Sequence, residues 1–163
     1  MVTLLLPVGP PGSGKTYLGK KLKDIYKDRM IYLSRDDLFN SFRKENSIRN
    51  AKHLTHKYIK EELQKNINTD KIIYIDTTNS NEGIRQLYIS YLNPKIIKFI
   101  CFKYDISILI NRVDGRYHPT FPTDKVKQLT SINKIYNSID YPIDNTIEIN
   151  DENYNLDNIF SFL

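Results

Sequence analysis

The chain has 163 residues, with 24 Lys and Arg against 19 Asp and Glu and a formal net charge of +5; that length suits one hydrophobic core and is expected to leave no room for a second catalytic domain. A composition of 40% hydrophobic and 26% charged residues excludes a disordered or fibrous chain. The apolar run Leu4-Leu5-Leu6 is too short for a membrane span and lacks the flanks of a secretory signal, so a cytoplasmic protein with no membrane partner is expected.

Val2 to Val8 is a short run of branched apolar residues closed by glycine and proline, the pattern of a strand buried on both faces. Pro7 cannot donate a ladder hydrogen bond and is expected near the strand's end or at a bulge. Lys15 to Tyr26 carries Leu18, Leu22 and Ile25 at helical spacing. Met30 to Leu33 reads as a second strand, after which Ser34 can cap a helix with Asp37 three residues on. Asn50 to Asn66 is a longer helical pattern, with Leu54, Tyr58 and Leu63 on one side and Lys52, Lys57 and Lys60 over the rest.

The strands IIYIDTT and IIKFICFKY follow, separated by a helical stretch from Asn81 to Leu92. Cys101, the sole cysteine, lies in the second of these and reads as a small buried hydrophobe. Asp105 to Arg116 has helical apolar spacing, and DGRYHPTFP then breaks it with a glycine and two prolines, so a mobile loop is expected there. Pro122 to Asn137 resumes as a helix, TIEI supplies an edge strand, and a terminal helix starts at Leu156. Alternating strands and helices imply a parallel sheet covered on both faces.

Gly9-x-x-x-x-Gly14-Lys15-Thr16 fits the phosphate-loop pattern, with a strand before it and a helix after it. Glycines let backbone N–H groups turn inward around phosphate oxygens, and the helix N-terminus adds positive potential. Lys15 reaches the β and γ phosphates, and Thr16 ligates Mg²⁺. The nucleotide site is therefore expected at Gly9, Gly12, Ser13, Gly14, Lys15, Thr16 and Tyr17, with ATP or GTP as donor and Mg²⁺ as cofactor. Asp36 and Asp37 follow the second strand, whose carboxyl end lies on the loop's edge of the sheet. They either face the γ phosphate or complement the dipole of their own helix. Arg112 and Arg116 stand four apart, on one face of their helix.

GPPGSGKT, then SRDD, then IDTTN, then NRVDGR, each after a successive strand, resembles the 5′-hydroxyl polynucleotide kinases of the bacteriophage type over nearly the whole chain. That resemblance implies an α/β P-loop NTPase fold: a three-layer sandwich in one domain, 1–163, with a parallel sheet of four to five strands and a helical lid near 105–122. It implies that Asp36 is the general base for the acceptor hydroxyl and that Arg112 and Arg116 are lid arginines stabilising the transferring phosphoryl group. It puts Arg35 beside the acceptor, with Asp76 and Asn79 in the Asp-x-Thr-Asn pattern and Arg85 six residues after the Asn. Asp76 either holds Mg²⁺ through water or simply ends its strand in a turn.

One departure is Phe39, which stands where the bacteriophage enzyme has an arginine that grips an acceptor phosphate. Arg43, one turn on, either takes over that grip or does not, and Phe39 either stacks on a base or sugar or packs in the core. His53 and His56 lie three apart on the long helix with no third metal ligand at suitable spacing. The implied partner is 5′-hydroxyl RNA or DNA, and no oligomeric state is legible. Two other readings stay open: a related kinase for a small metabolite, nucleoside, antibiotic or nucleotide sugar, and a nucleotide-dependent binding switch.

Overall fold

The computed structural model describes residues 1–113 and 124–150 together with Ile159. In chain order the elements are β1 (Thr3–Val8), α1 (Lys15–Tyr26), β2 (Met30–Ser34), α2 (Arg35–Arg43), α3 (Ile48–Lys65), β3 (Ile72–Asp76), α4 (Glu82–Leu92), β4 (Ile96–Phe102), α5 (Ile106–Val113), α6 (Lys125–Ser138) and β5 (Thr146–Ile149). The strands form one five-stranded sheet in the order β2-β3-β1-β4-β5, parallel throughout. This is the α/β P-loop architecture expected from the alternation of strands and helices, and TIEI is its edge strand.

β1 is buried along its whole length and feeds both faces of the sheet. Leu5 joins Leu18 and Leu22 of α1, Leu109 and Val113 of α5, Ile132 of α6, and Ile159. Val2, Leu4 and Leu6 point the other way, onto Ile59 and Leu63 of α3 and Tyr88 and Leu92 of α4. The two faces bury different helices because successive strand side chains alternate. Each fully buried leucine or isoleucine contributes roughly 1.5–3 kcal/mol over an exposed one.

Pro7 is tolerated because β1 pairs with β3 only from Thr3 to Leu5, whereas its pairing with β4 runs on to Val8. Its missing N–H lies on the side where the ladder has ended, and its carbonyl accepts a hydrogen bond from Asn79 Nδ2 at 2.8 Å. α1 has the expected bounds, but Ile25 is 52% exposed and does not continue the Leu18–Leu22 stripe into the core.

The buried face of α3 also differs from the expected one. Ala51, Thr55, Ile59 and Leu63 face inward, while Tyr58 is exposed and Leu54 half-buried. A polar residue sits in that stripe because the Thr55 hydroxyl donates back to the Ala51 carbonyl at 2.8 Å and so enters the core satisfied. The DGRYHPTFP loop lies outside the described residues, as does the terminal helix except for Ile159, which is helical and buried. Among the described residues no helix is long and apolar enough to cross a membrane.

Gly19 marks where α1 comes closest to the sheet. A Cβ there would lie 2.5 Å from Tyr32 Cε2 and 2.7 Å from Tyr74 Cε1, and those two rings stack at 5.9 Å between centroids. Alanine ordinarily gains about 1 kcal/mol over glycine in a helix. Here Gly19→Ala is expected to destabilise the fold by roughly 1–3 kcal/mol through overpacking, measured as a lower midpoint in urea. An unchanged or raised midpoint would show that the rings yield freely.

Candidate active site

The loop from Gly9 to Gly14 joins β1 to α1 under tight steric limits. Gly12 and Gly14 have φ of 82° and 100°, which side chains rarely adopt. A Cβ on Gly9 would stand 2.8 Å from Phe102 Cβ, and one on Gly12 would stand 2.7 Å from Val113 Cγ2. The loop is thus pressed between the end of β4 and the end of α5. Helices α2, α3, α4 and α6 are each capped by a side chain, from Ser34, Ser47, Asn81 and Asp124 respectively. α1 begins at Gly14 with no side-chain cap, leaving its first N–H groups directed at whatever the loop encloses.

Lys15 is the first residue of α1 and is buried, at 9% exposure. Its ammonium donates to the carbonyls of Gly9 at 2.8 Å and Pro10 at 2.7 Å and to Ser13 Oγ at 3.3 Å. Burial pulls its pKa from 10.5 down to about 8, against the opposing negative charges of Asp76 and Asp36. The sheet therefore puts both carboxylates within electrostatic reach of the buried ammonium. Asp36 stands half-buried in the first turn of α2, which Ser34 caps by accepting from the Asp37 N–H at 3.2 Å.

Asp76 ends β3 and is 7% exposed. Its Oδ2 accepts from Thr16 Oγ1 at 2.7 Å and from the Tyr32 phenol at 2.6 Å. A hydroxyl and a carboxylate this close are hard oxygen donors of the kind Mg²⁺ takes one or two at a time, completing its shell with phosphate and water. Among the described residues no cluster of three His, Cys, Asp or Glu could hold a metal alone. These residues fit a cation shared with phosphate, which Thr16 could ligate with Asp76 beside it.

Arg112 lies near the end of α5, against the loop. Its guanidinium stacks on the Tyr104 ring at 4.3 Å, and its Cβ is 3.7 Å from where a Gly12 Cβ would be. Arg116 lies outside the described residues. Tyr17 is exposed on α1, with Lys21 Nζ over its ring at 5.1 Å. Phe39 is half-buried and belongs to neither core cluster.

Of the residues expected at the acceptor, Arg85 and Asn79 are buried, whereas Arg43 and Arg35 on α2 are exposed. Arg85 is on the inward face of α4, 3% exposed, and donates to the carbonyls of Asn79 at 3.0 Å and Asp140 at 2.6 Å and to the Asp140 carboxylate at 3.1 Å. It braces the turn after β3 against the segment after α6, with its side chain buried between them. Asn79 is 1% exposed with φ of 48°, and its Nδ2 donates to the carbonyls of Pro7, Ile75 and Thr77. It shapes the floor of the site from below. Arg43, at the end of α2, donates to the Asn46 carbonyl at 2.7 Å. Arg35 is exposed and lies toward Tyr88, whose pKa burial raises and the Arg35 charge opposes.

Tyr32 and Tyr74 are the residues that sequence reasoning missed. The pairing of Tyr32 with Tyr74 and of Ser34 with Asp76 puts all four on one face of neighbouring strands. The period of two was legible, but tyrosines scattered through a chain with 12 of them drew no notice. Tyr74 donates to the Lys15 carbonyl at 2.7 Å, so one phenol of the stack holds the start of α1 and the other holds Asp76.

The Lys15 shift has a sign that can be measured. A lysine whose folded pKa of about 8 lies below its usual 10.5 costs stability at neutral pH, and the cost is relieved as pH rises through that window. Triphosphate favours the charged form, so nucleotide binding at pH ~9 is expected to take up roughly one proton, falling toward zero near pH ~7. Calorimetry in buffers of different ionisation enthalpy reads this directly, and no uptake at the higher pH would contradict it.

A family model for the AAA domain matches residues 4–132. Among solved structures, the fold is similar to a presumed kinase from Chloroflexus aurantiacus, at 13% identity and a TM-score of 0.68, covering 98% of this chain and 92% of that one. It is similar to Kti12 from Chaetomium thermophilum in complex with ADP-AlF3, at 15% identity and 0.66, covering 97% of each chain. It is also similar to a gluconokinase from Sinorhizobium meliloti, at 15% identity and 0.58, covering 91% of this chain and 81% of that one. No curated protein matches the sequence. With most of its length matched and a P-loop kinase-like fold built around Lys15, the chain belongs to the AAA-domain family.

Proposed function

We propose that the protein is a phosphotransferase that moves the γ phosphate of ATP or GTP to the 5′-hydroxyl of RNA or DNA. The observation that carries the transfer step is that Asp76 and Asp36, at the ends of neighbouring strands, are close enough for their charges to act on the buried Lys15 ammonium. Lys15 and the uncapped amides of α1 bind the β and γ phosphates. Thr16 and Asp76 would hold Mg²⁺, which would neutralise charge on the phosphate oxygens. The Asp36 carboxylate accepts the proton of the acceptor hydroxyl as its oxygen bonds to the γ phosphorus and the nucleoside diphosphate departs. Arg112, rooted beside Gly12, is close to the loop that carries the leaving group, and Arg116 completes the pair in this reading.

The polynucleotide acceptor is supported by the ordered motifs and by the surface beside α2. From Asn46 to Lys60 the chain carries Arg49, Lys52, Lys57 and Lys60 and no acidic residue, and all four cations are exposed. His56 bonds the Tyr91 phenol at 3.0 Å and Lys60 lies over that ring, a mixture of charge and aromatic surface suited to a single strand. A second reading, a kinase for a small hydroxyl-bearing metabolite, is favoured by Phe39, a half-buried apolar side chain where a phosphate-gripping arginine is absent. The likeness to a gluconokinase supports it as well.

Transfer of label from γ-labelled ATP or GTP to short 5′-hydroxyl strands, run beside nucleosides and sugars, tests both. Label on the strands, reduced roughly 10²–10⁴-fold by Asp36→Asn with nucleotide affinity nearly unchanged, is the expected result. Label only on small acceptors selects the second reading. Nucleotide binding with no acceptor labelled contradicts both.

A further inference from the structure

We propose that Tyr32 is a positioning residue for the divalent cation, acting through the Asp76 carboxylate. The inference rests on reading this edge of the sheet as the nucleotide and cation site. Asp76 Oδ2 receives two hydroxyls, from Thr16 at 2.7 Å and from Tyr32 at 2.6 Å. The two donors have different fates once a cation arrives. With a cation bound, the Thr16 oxygen would offer it a lone pair while its O–H went on donating to Asp76. The Tyr32 phenol, which also meets the Ser34 side chain, donates to Asp76, and its part is to stop that carboxylate from rotating.

Tyr32 is itself unable to move away. Its ring stacks on Tyr74 with 25° between the planes, and α1 closes over it at Gly19, where even a methyl group would lie 2.5 Å from Cε2. A carboxylate held by a donor that cannot swing out is pre-oriented for a metal that tolerates little geometric error. Tyr74 is the internal control, because its phenol bonds the Lys15 carbonyl.

The test is binding of a fluorescent non-hydrolysable ATP analogue, titrated with Mg²⁺ and repeated in EDTA, for the wild type, Tyr32→Phe and Tyr74→Phe. Tyr32→Phe keeps the ring stack and is expected to raise the half-saturating Mg²⁺ roughly 10–100-fold, the usual effect of losing such a partner, with affinity in EDTA unchanged. Tyr74→Phe is expected to keep the wild-type half-saturating concentration. Three results would overturn the proposal: an unchanged Mg²⁺ requirement in Tyr32→Phe, an equal loss in EDTA, or the same shift in Tyr74→Phe. A wild type whose binding ignores Mg²⁺ overturns both the proposal and the cation site beneath it, which separates the two failures.

Discussion

A lysine ammonium buried against carbonyl oxygens is costly to maintain, and Lys15 stands in that condition. Removing a charge from water costs several kcal/mol unless it is paired and hydrogen-bonded. Three acceptors of its own loop and the nearby charges of Asp76 and Asp36 offset that cost only in part, since its pKa still falls to about 8. An anion delivered to the loop relieves the remainder. Binding energy for a triphosphate is in this sense stored in the fold before the nucleotide arrives.

The sheet makes that arrangement possible. Asp76 closes β3 one strand away from β1, and Ser34, its register partner, caps the helix that carries Asp36. Parallel strands bring all these ends to one edge, and β1 lies between β3 and β4 with helices on either face. Side chains away from the open edge keep it rigid. Asn79 ties the end of β1 to the turn after β3, and Arg85 ties that turn to Asp140. α5 brings Val113 and Arg112 against Gly12, so the root of the expected lid touches the loop it would cover.

Much of this was legible from residue types and spacing. The glycines of the loop, the bounds of α1, the Ser34 cap and the edge strand TIEI all follow from local chemistry that sequence displays directly. What stayed hidden depends on partners distant in sequence. Thr55 entered the core because its own backbone satisfies it, which no apolar pattern reveals. The resemblance puts Arg85 at the acceptor, yet the carbonyl of Asn79 and the carboxylate of Asp140, 55 residues on, draw it inward. Tyr32 needed the β2–β3 register before its position over Asp76 could be seen.

The most direct measurement is a crystal structure of the protein with Mg²⁺ and a non-transferable ATP analogue. The account predicts a cation about 2.0–2.1 Å from Thr16 Oγ1, with Asp76 beside it, the Lys15 ammonium on the β and γ phosphates, and the Asp36 carboxylate facing the γ phosphorus. A cation held without Thr16 and Asp76, or an Asp36 turned away from the γ phosphate, would contradict it.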